Sequence, residues 1–400
     1  MMSSSQQVRL RNRANVLHAL RRRPGLSKIA LARQLRISPA TVGSIIAGLT
    51  EEGLVVSIGA GPSTGGRPAE HLELNRAGPV AVGVDLGQTM VRIGILNLAG
   101  KLLAQRSVPF QRHHNEVDLA AIVTQVEEMV GTFPHGTICG IGVAVPGLLD
   151  LERGMVRYAA NLGWRNLMLR DAFAQVFGQP IVMIRNTNAA LLAEDWWGNV
   201  VTRDPSIFVT LGSGIGAALR VDRHFIQGAA AVAGELGHIP IDPSGMRCSC
   251  GQRGCLEAMA SGRAVQERYN RLRSRRMAVP NAAPLSLSEI LQQAMEGEEL
   301  ARTVLEEAAY YLGIGLTILT NLLNPAVIVL GGELMEASDL LLRPIVQYIH
   351  THALSDAAAA VTVVASTFRS DAALIGAASL VFDELFQGRI PVGEEVTAMT

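Results

Sequence analysis

The sequence predicts an α/β protein in which a winged helix-turn-helix head, residues 1–76, precedes a two-lobed α/β body. Three observations carry that expectation. Basic residues concentrate in the head, two capped helical patterns joined by a tight turn lie within it, and beyond Ala77 short apolar strands and helices recur in two similar sets.

At 400 residues with 48% apolar content, the chain is too long for one core and fits two or three domains. The expected division is a head at 1–76, a first lobe at 77–197 joined by a C-terminal helix at 371–386, and a second lobe at 198–370. The net charge is zero, but the head holds 11 Lys/Arg against four acids while the rest holds 24 against 31. A +7 head on a −7 body suggests that only the head meets a polyanion. The polar, arginine-rich N-terminus lacks the apolar run of a signal peptide, and four cysteines suit a reducing cytoplasm. Ala308 to Gly332 is long enough to span a bilayer but carries Asn321, Asn324 and Pro325 without basic flanks. It reads as a buried helix feeding a buried strand.

Three helical patterns follow one another in "RNRANVLHALRRRPGLSKIALARQLRISPATVGSIIAGLTEEGLV". Val16, Leu17 and Leu20 stripe the first, and Pro24-Gly25 stops it. Ser27 can cap the second, with Ile29, Ala30, Ala32 and Leu35 turned inward. Ser38 before Pro39 starts the third, which buries Val42, Ile45, Ile46 and Leu49. This is helix-turn-helix spacing, and the second helix of such a pair enters the major groove N-terminus first. Ser38, Ala40, Thr41, Gly43 and Ser44 then face DNA. The strand-like runs "LVVSIGA" and "HLELN" flank "GPSTGGRPAE", a β-wing whose tip would place Arg67 against the backbone or minor groove.

In the body, "VAVGVDLGQTMVRIGILNLAGKLLAQRSV" reads as three strands, followed by a helix from about Val117 to Val130 and a strand ending "CGIGVAVPG". After a helix from Asn188 to Trp197, "SIFVTLGSGIGAALRVDRHFIQG" repeats the theme, which suggests a duplicated α/β unit with a ligand cleft between lobes. The turns "DLGQT" and "LGSGIG" are shaped to present backbone N–H groups to phosphate. "LGSGIG" has the wrong glycine spacing for a dinucleotide fingerprint and leads into a strand, and no P-loop is present.

"GELGHIPIDPSGMRCSCGQRGCLE" holds three of the four cysteines. Cys248, Cys250 and Cys255, with His238 upstream, supply the Cys3His donors of a tetrahedral zinc site. Four protein ligands leave no position for water, so the expected zinc is structural.

The head together with "DLGQT", "VPG", "NLGW", "GELGH", "CSCGQRGCLE" and "NPAVIVLGG" resembles the ROK family of repressors, open reading frames and sugar kinases, in its regulator branch. The resemblance implies an actin-like, ribonuclease H-type sugar kinase fold. It also implies sugar contacts from Gly147, Asn161, Asn186, Glu235, His238 and Glu257, with His238 serving metal and sugar through one ring nitrogen each. ROK kinases carry an aspartate base after the asparagine of "IRNTN"; this chain has Thr187, whose hydroxyl is far too weak a base at neutral pH. Glu194, seven residues along a helix and roughly 10 Å away, cannot replace it. Gln88 in "DLGQT", and Ala217 and Ala218 after "GSGIG", are expected to crowd a phosphate. The expected protein is therefore a non-enzymatic, cytoplasmic, sugar-responsive regulator, a repressor that binds pseudo-palindromic operator DNA as a homodimer or dimer of dimers. An active ATP-dependent sugar kinase with an attached DNA-binding head is the alternative.

Overall fold

The structure, a computed structural model, describes residues 4–60, 70–87, 89–113, 116–134, 136–277 and 283–392. Two compact units partition the chain: Met1–Ala189 with Leu374–Thr400, and Ala190–Ala373.

The first unit begins with the head. Helix α1 (Ser4–Arg22), strand β1 (Leu26–Ser27), helices α2 (Lys28–Leu35) and α3 (Pro39–Glu51), and strands β2 (Val55–Ala60) and β3 (Glu70–Leu74) follow in order. The small sheet runs β1-β3-β2, so the wing's second strand is pinned by Leu26 and Ser27 as well as by its hairpin partner. Both expected caps form: the Ser27 hydroxyl accepts from Ala30 N–H and the Ser38 hydroxyl from Thr41 N–H, with Pro39 at the first helical position. Arg36, in the left-handed region at φ 55°, makes the turn between α2 and α3. Val16, Leu17, Leu20, Leu31, Val42, Ile46 and Leu49 fill the head's core.

One inward position is corrected: Ile29 is 57% exposed. Leu31 sets the α2 inward face, and Ile29, two residues before it at about 100° per residue, lies roughly 160° around the helix from it. Ile45 is half-buried rather than buried.

Next come β4 (Val80–Leu86), β5 (Met90–Asn97), β6 (Leu102–Pro109), the short pair β7 (Arg112–His113) and β8 (Glu116–Val117), α4 (Leu119–Val130) and β9 (Ile138–Val145). The α4 helix starts two residues later than expected because Asp118 caps it, accepting from Ala120 and Ala121 N–H. A hairpin-linked sheet of β10 (Leu148–Asp150), β11 (Met155–Ala159) and β12 (Trp164–Leu167), helix α5 (Leu169–Ala174) and strand β13 (Ile181–Arg185) complete the order up to α6 (Asn186–Trp197). The five-stranded sheet runs β13-β9-β4-β5-β6, with β4 and β9 parallel and buried throughout. Strands covered on both faces need continuous apolar runs, which "VAVGVDL" and "ICGIGVAV" supply. A Cβ at Gly142 would sit 1.9 Å from Ala377 O, so glycine lets the C-terminal helix α13 (Ala372–Phe386) lie directly on this sheet.

The second unit repeats the plan. Strands β14 (Ser206–Leu211), β15 (Ile215–Val221) and β16 (His224–Phe225) form antiparallel neighbours, and β17 (Val327–Gly331) and β18 (Thr362–Ala365) add in parallel. The order β16-β15-β14-β17-β18 has the same 3-2-1-4-5 succession as the first sheet. Helices α7 (Leu256–Ala260), α8 (Gly262–Met277), α9 (Leu287–Glu296), α10 (Glu299–Leu323), α11 (Ser338–His352) and α12 (Ser355–Ala360) complete it. The α10 helix buries Leu305, Leu312, Leu316 and Leu319 and leads into the fully buried β17, as expected for Ala308 to Gly332. Among the described residues no helix is long and apolar enough to cross a membrane.

Candidate functional site

The surface of the head expected to face DNA follows from α3. Ser38, Ala40, Thr41 and Ser44 are exposed and Gly43 is half-buried, so the expected N-terminal face is presented to solvent. Ser38 also has a structural task, since its hydroxyl accepts from Thr41 N–H at 3.1 Å and lies 2.7 Å from Thr41 Oγ1. Arg67 lies outside the described residues. Two of the head's bases are turned inward: Arg13 Nη1 meets Glu52 Oε2 at 2.6 Å, and Arg21 is 8% exposed. The cationic surface is therefore smaller than the charge count suggests.

In the second unit, a loop after β16 leads to a single 3-10 turn, Leu236–His238, and then to the cysteine loop. Pro240 bridges Cys255 and Arg247 bridges Arg253, while Leu256 N–H donates to Ile239 O. These contacts fold the loop back on itself. Gly254 permits the closest approach, because a Cβ there would lie 1.5 Å from Asp242 O.

The result brings His238, Cys248, Cys250 and Cys255 together, with one ligand atom from each within 4.8 Å of the others. His238 Nδ1 is 3.7 Å from Cys248 Sγ, and Cys250 Sγ is 3.7 Å from Cys255 Sγ. Two thiolates about 2.3 Å from a tetrahedral zinc would be separated by roughly 3.8 Å, so these two spacings match those of a tetrahedral metal's donors. Burial pushes the Cys255 thiol up to about 12, and the neighbouring sulfurs add to the shift. Cys250, at the exposed rim, is lowered, chiefly by the Gln252 backbone N–H. Bringing sulfurs this close is unfavourable for a set of bare thiolates, and a divalent cation is the group that reverses the penalty.

Glu257 opens α7, two residues after Cys255. Its Oε2 accepts from Ile215 N–H at 3.0 Å, and its Oε1 lies 3.7 Å from Arg263 Nη2. Gly214 leaves room for the carboxylate, since a Cβ there would be 2.6 Å from Glu257 Oε2; Gly237 brings the His238 turn close, with a Cβ 3.2 Å from Glu257 Cβ. Glu235 precedes that turn, and its carbonyl accepts from His238 N–H at 3.1 Å. The structure therefore gathers His238 and Glu257 around one turn, with Glu235 at its start. Residue patterns had not singled out Ile215 and Arg263, which orient Glu257. The glycines at 214 and 237 were the available signal.

Ala217 and Ala218 require a correction. Both are 1% exposed within β15 and pack into two different cores, so they do not line the "GSGIG" turn or crowd a phosphate there. Gln88 lies outside the described residues.

In the first unit, Gly147 has φ +90°, and a Cβ would fall 2.2 Å from Tyr158 O. Asn161 Nδ2 donates to Gly87 O at 3.1 Å, tying the "NLGW" segment to the "DLG" turn. Asn186 starts α6, and its Oδ1 accepts from Thr187 N–H at 2.8 Å. Thr187 is 6% exposed and its hydroxyl has no hydrogen-bond partner among the described residues. Asp85, on β4, is held 3.2 Å from Arg92 Nη1, a pairing that residue patterns did not reveal.

The acids that follow on α6 lie in the second unit and are committed elsewhere. Glu194 is fully buried and accepts from Ser366 Oγ, Thr367 N–H and Asn199 N–H. Asp195 pairs with Arg220 at 2.9 Å.

Comparison with known proteins adds to this geometry. The profile of the ROK family matches residues 81–384, and that of the MarR family matches residues 10–62. The xylose repressor of Caldicellulosiruptor bescii is 29% identical over 90% of this chain and 92% of its own. The DNA-binding transcriptional dual regulator NagC of Escherichia coli is 30% identical over 95% of this chain and 94% of its own. Among solved structures, a ROK family transcriptional regulator homologous to the E. coli Mlc protein has a TM-score of 0.81 at 27% identity, covering 96% of this chain and 98% of that one. A ROK family glucokinase from Streptomyces griseus, in complex with glucose and AMPPNP, has a TM-score of 0.65 at 28% identity, covering 75% of this chain and 98% of that one.

Proposed function

The chain belongs to the ROK family, and from that premise we propose that it is a sugar-responsive transcriptional regulator, a repressor whose operator affinity changes when a monosaccharide binds the body. The observation that carries this reading is the pairing of an exposed, doubly capped helix-turn-helix with a body whose base position is Thr187. Ser38, Ala40, Thr41 and Ser44 approach base edges and phosphates, with Arg67 on the wing. Two such heads in a homodimer, or in a dimer of dimers, read a pseudo-palindromic site in the cytoplasm.

On the body, Glu235, His238 and Glu257 take the sugar hydroxyls, because carboxylates and an imidazole accept or donate in fixed directions to a neutral polyol. Gly147, Asn161 and Asn186 are the other residues assigned to sugar recognition. A zinc ion held by His238 Nδ1, Cys248, Cys250 and Cys255 is structural. It fixes the turn that carries His238 and leaves Nε2 for the ligand. The protein has no phosphoryl-transfer activity, since Thr187 cannot remove the sugar proton and Glu194 is occupied by four donors.

A coupling of about 1–3 kcal/mol between sugar and DNA sites gives a roughly 5–150-fold change in operator affinity. Fluorescence anisotropy on DNA selected by the protein from a random pool tests this. The reading expects salt-dependent binding that at least one monosaccharide shifts, and indifference to DNA, or to every sugar in a panel, overturns it.

A further inference from the structure

We infer that the sugar-responsive body carries a second, anionic seat, a phosphate-monoester site built between the cysteine loop and α8. This rests on the reading of Glu257 as a sugar contact. The observation behind it is a cavity of about 330 Å³ in the second unit, bounded on one side by residues 246–249 and on the other by α7 and α8. Its wall is unusually rich in guanidinium: Arg247 from the loop, and Arg263, Arg268 and Arg271 from the helix. Arg263, Glu267 and Arg271 are spaced four apart, so α8 turns them to one face.

The charges do not cancel within the wall. Arg268, with a 10% exposed side chain, is matched by Glu307 at 2.9 Å. Arg263 shares the Glu257 carboxylate at 3.7 Å. Arg247 and Arg271 make no ion pair among the described residues; Arg271 Nη1 has only the Met246 sulfur, at 4.0 Å. Two guanidiniums thus face one cavity from opposite walls with one exposed acid, Glu267, between them. A neutral polyol has no use for that excess. A phosphate monoester does, because its oxygens accept paired N–H groups from the planar fork and its double charge exceeds what a carboxylate brings. The Ser249 hydroxyl on the loop side adds a donor.

Glu257 lines this cavity as well as the sugar turn. The two seats are therefore contiguous, and the geometry points to an effector that is a phosphorylated sugar, with its hydroxyls at Glu257 and its phosphate toward Arg247 and Arg271. Because one wall is the cysteine loop, the anion seat needs that loop folded.

Isothermal titration of the full, zinc-loaded chain tests this with glucose, N-acetylglucosamine and xylose, each paired with its phosphate monoester, and with inorganic phosphate alone. The expected result is at least one ester bound roughly tenfold or more tighter than its parent sugar, with the preference lost in Arg271→Gln and in Arg247→Gln at unchanged zinc content. Equal affinity for ester and parent, or a preference that survives in both variants, overturns the seat. Binding of inorganic phosphate that Arg271→Gln abolishes, without binding of any sugar or ester, upholds the seat with free phosphate as its source and removes the sugar reading. Neutral sugars that bind while no ester binds better remove the seat and leave the sugar reading standing.

Discussion

The Ile215 backbone N–H donates to Glu257 Oε2 at 3.0 Å, fixing a carboxylate against the glycine turn that precedes β15. One Glu257 oxygen is thereby committed to the backbone, and the other faces Arg263 and the cavity. Glu257→Gln keeps the size but removes the charge. Hydrogen bonds to charged groups are worth about 1.5–3 kcal/mol, so sugar affinity should fall roughly 10–100-fold by calorimetry, with zinc content unchanged.

Cys250 tests the role given to the metal. It is the exposed one of the four candidate ligands, so Cys250→Ser disturbs packing least. Zinc content by mass spectrometry and sugar affinity by calorimetry should fall together, because the loop that holds His238 loses its anchor. A variant that loses zinc and keeps its sugar response would reduce the loop to a clip.

Thr187 separates regulator from kinase. Wild-type protein should show no ATP-dependent sugar phosphorylation in a coupled assay at neutral pH. A general base contributes about 10²–10⁴-fold, so any turnover that Thr187→Asp creates should exceed wild type by at least roughly 100-fold. Since Ala217 and Ala218 are buried in β15, they offer no obstacle to such a gain. Wild-type turnover would contradict the account.

The head is held to the C-terminal helix by titratable groups. His18 Nε2 lies 3.6 Å from Asp383 Oδ1, and the His18 ring meets Phe386 edge-on at 5.3 Å. Burial, reinforced by the Glu384 charge, raises the Asp383 carboxyl from 3.8 to about 6, while Arg389, Gln387 and Arg21 oppose the shift. A raised acid binds more protons folded than unfolded, so its stabilising contribution is full below about pH 4 and is lost as pH rises through about 6. Asp383→Asn should remove that fall. The difference in unfolding free energy between wild type and variant, from urea titrations at constant zinc, should move by about 2–3 kcal/mol in favour of the variant between pH 4 and 7.

Ser38 caps α3 and, in the proposed reading, also faces DNA, so one substitution has two effects. Ser38→Ala should cost about 1 kcal/mol of stability through the lost Thr41 N–H bond. Ser44→Ala, which removes no cap, should lower operator affinity with little change in melting temperature. Equal operator binding by wild type and Ser44→Ala would exclude Ser44 from the interface.

Much of this architecture is legible in the residues because local and tertiary demands agree. Ser38-Pro39 starts a helix by cap chemistry alone, and "VAVGVDL" is strand because both of its faces are covered. The spacing of Cys248, Cys250 and Cys255 points to candidate metal donors because few other uses gather thiols among glycines, and the structure brings them together with His238. What was not legible depends on long-range packing. Ile29 points outward because Leu31 wins the inward face, and Ala217 and Ala218, in a strand the residues did predict, are buried by cores that the residue pattern does not reveal. The burial of Arg21 and the pairing of Arg13 with Glu52 require knowing which helices touch. The orientation of Glu257 by Ile215, 42 positions away, is a product of the fold alone.

The central claim is that sugar occupancy of the body alters DNA binding by the head. Operator anisotropy with the zinc-loaded full chain, titrated with and without a sugar or sugar phosphate that calorimetry shows to bind, measures it directly. The account expects a roughly 5–150-fold shift in operator affinity that Glu257→Gln abolishes while its sugar-free DNA binding is kept. Identical operator affinity with and without a bound sugar would contradict it.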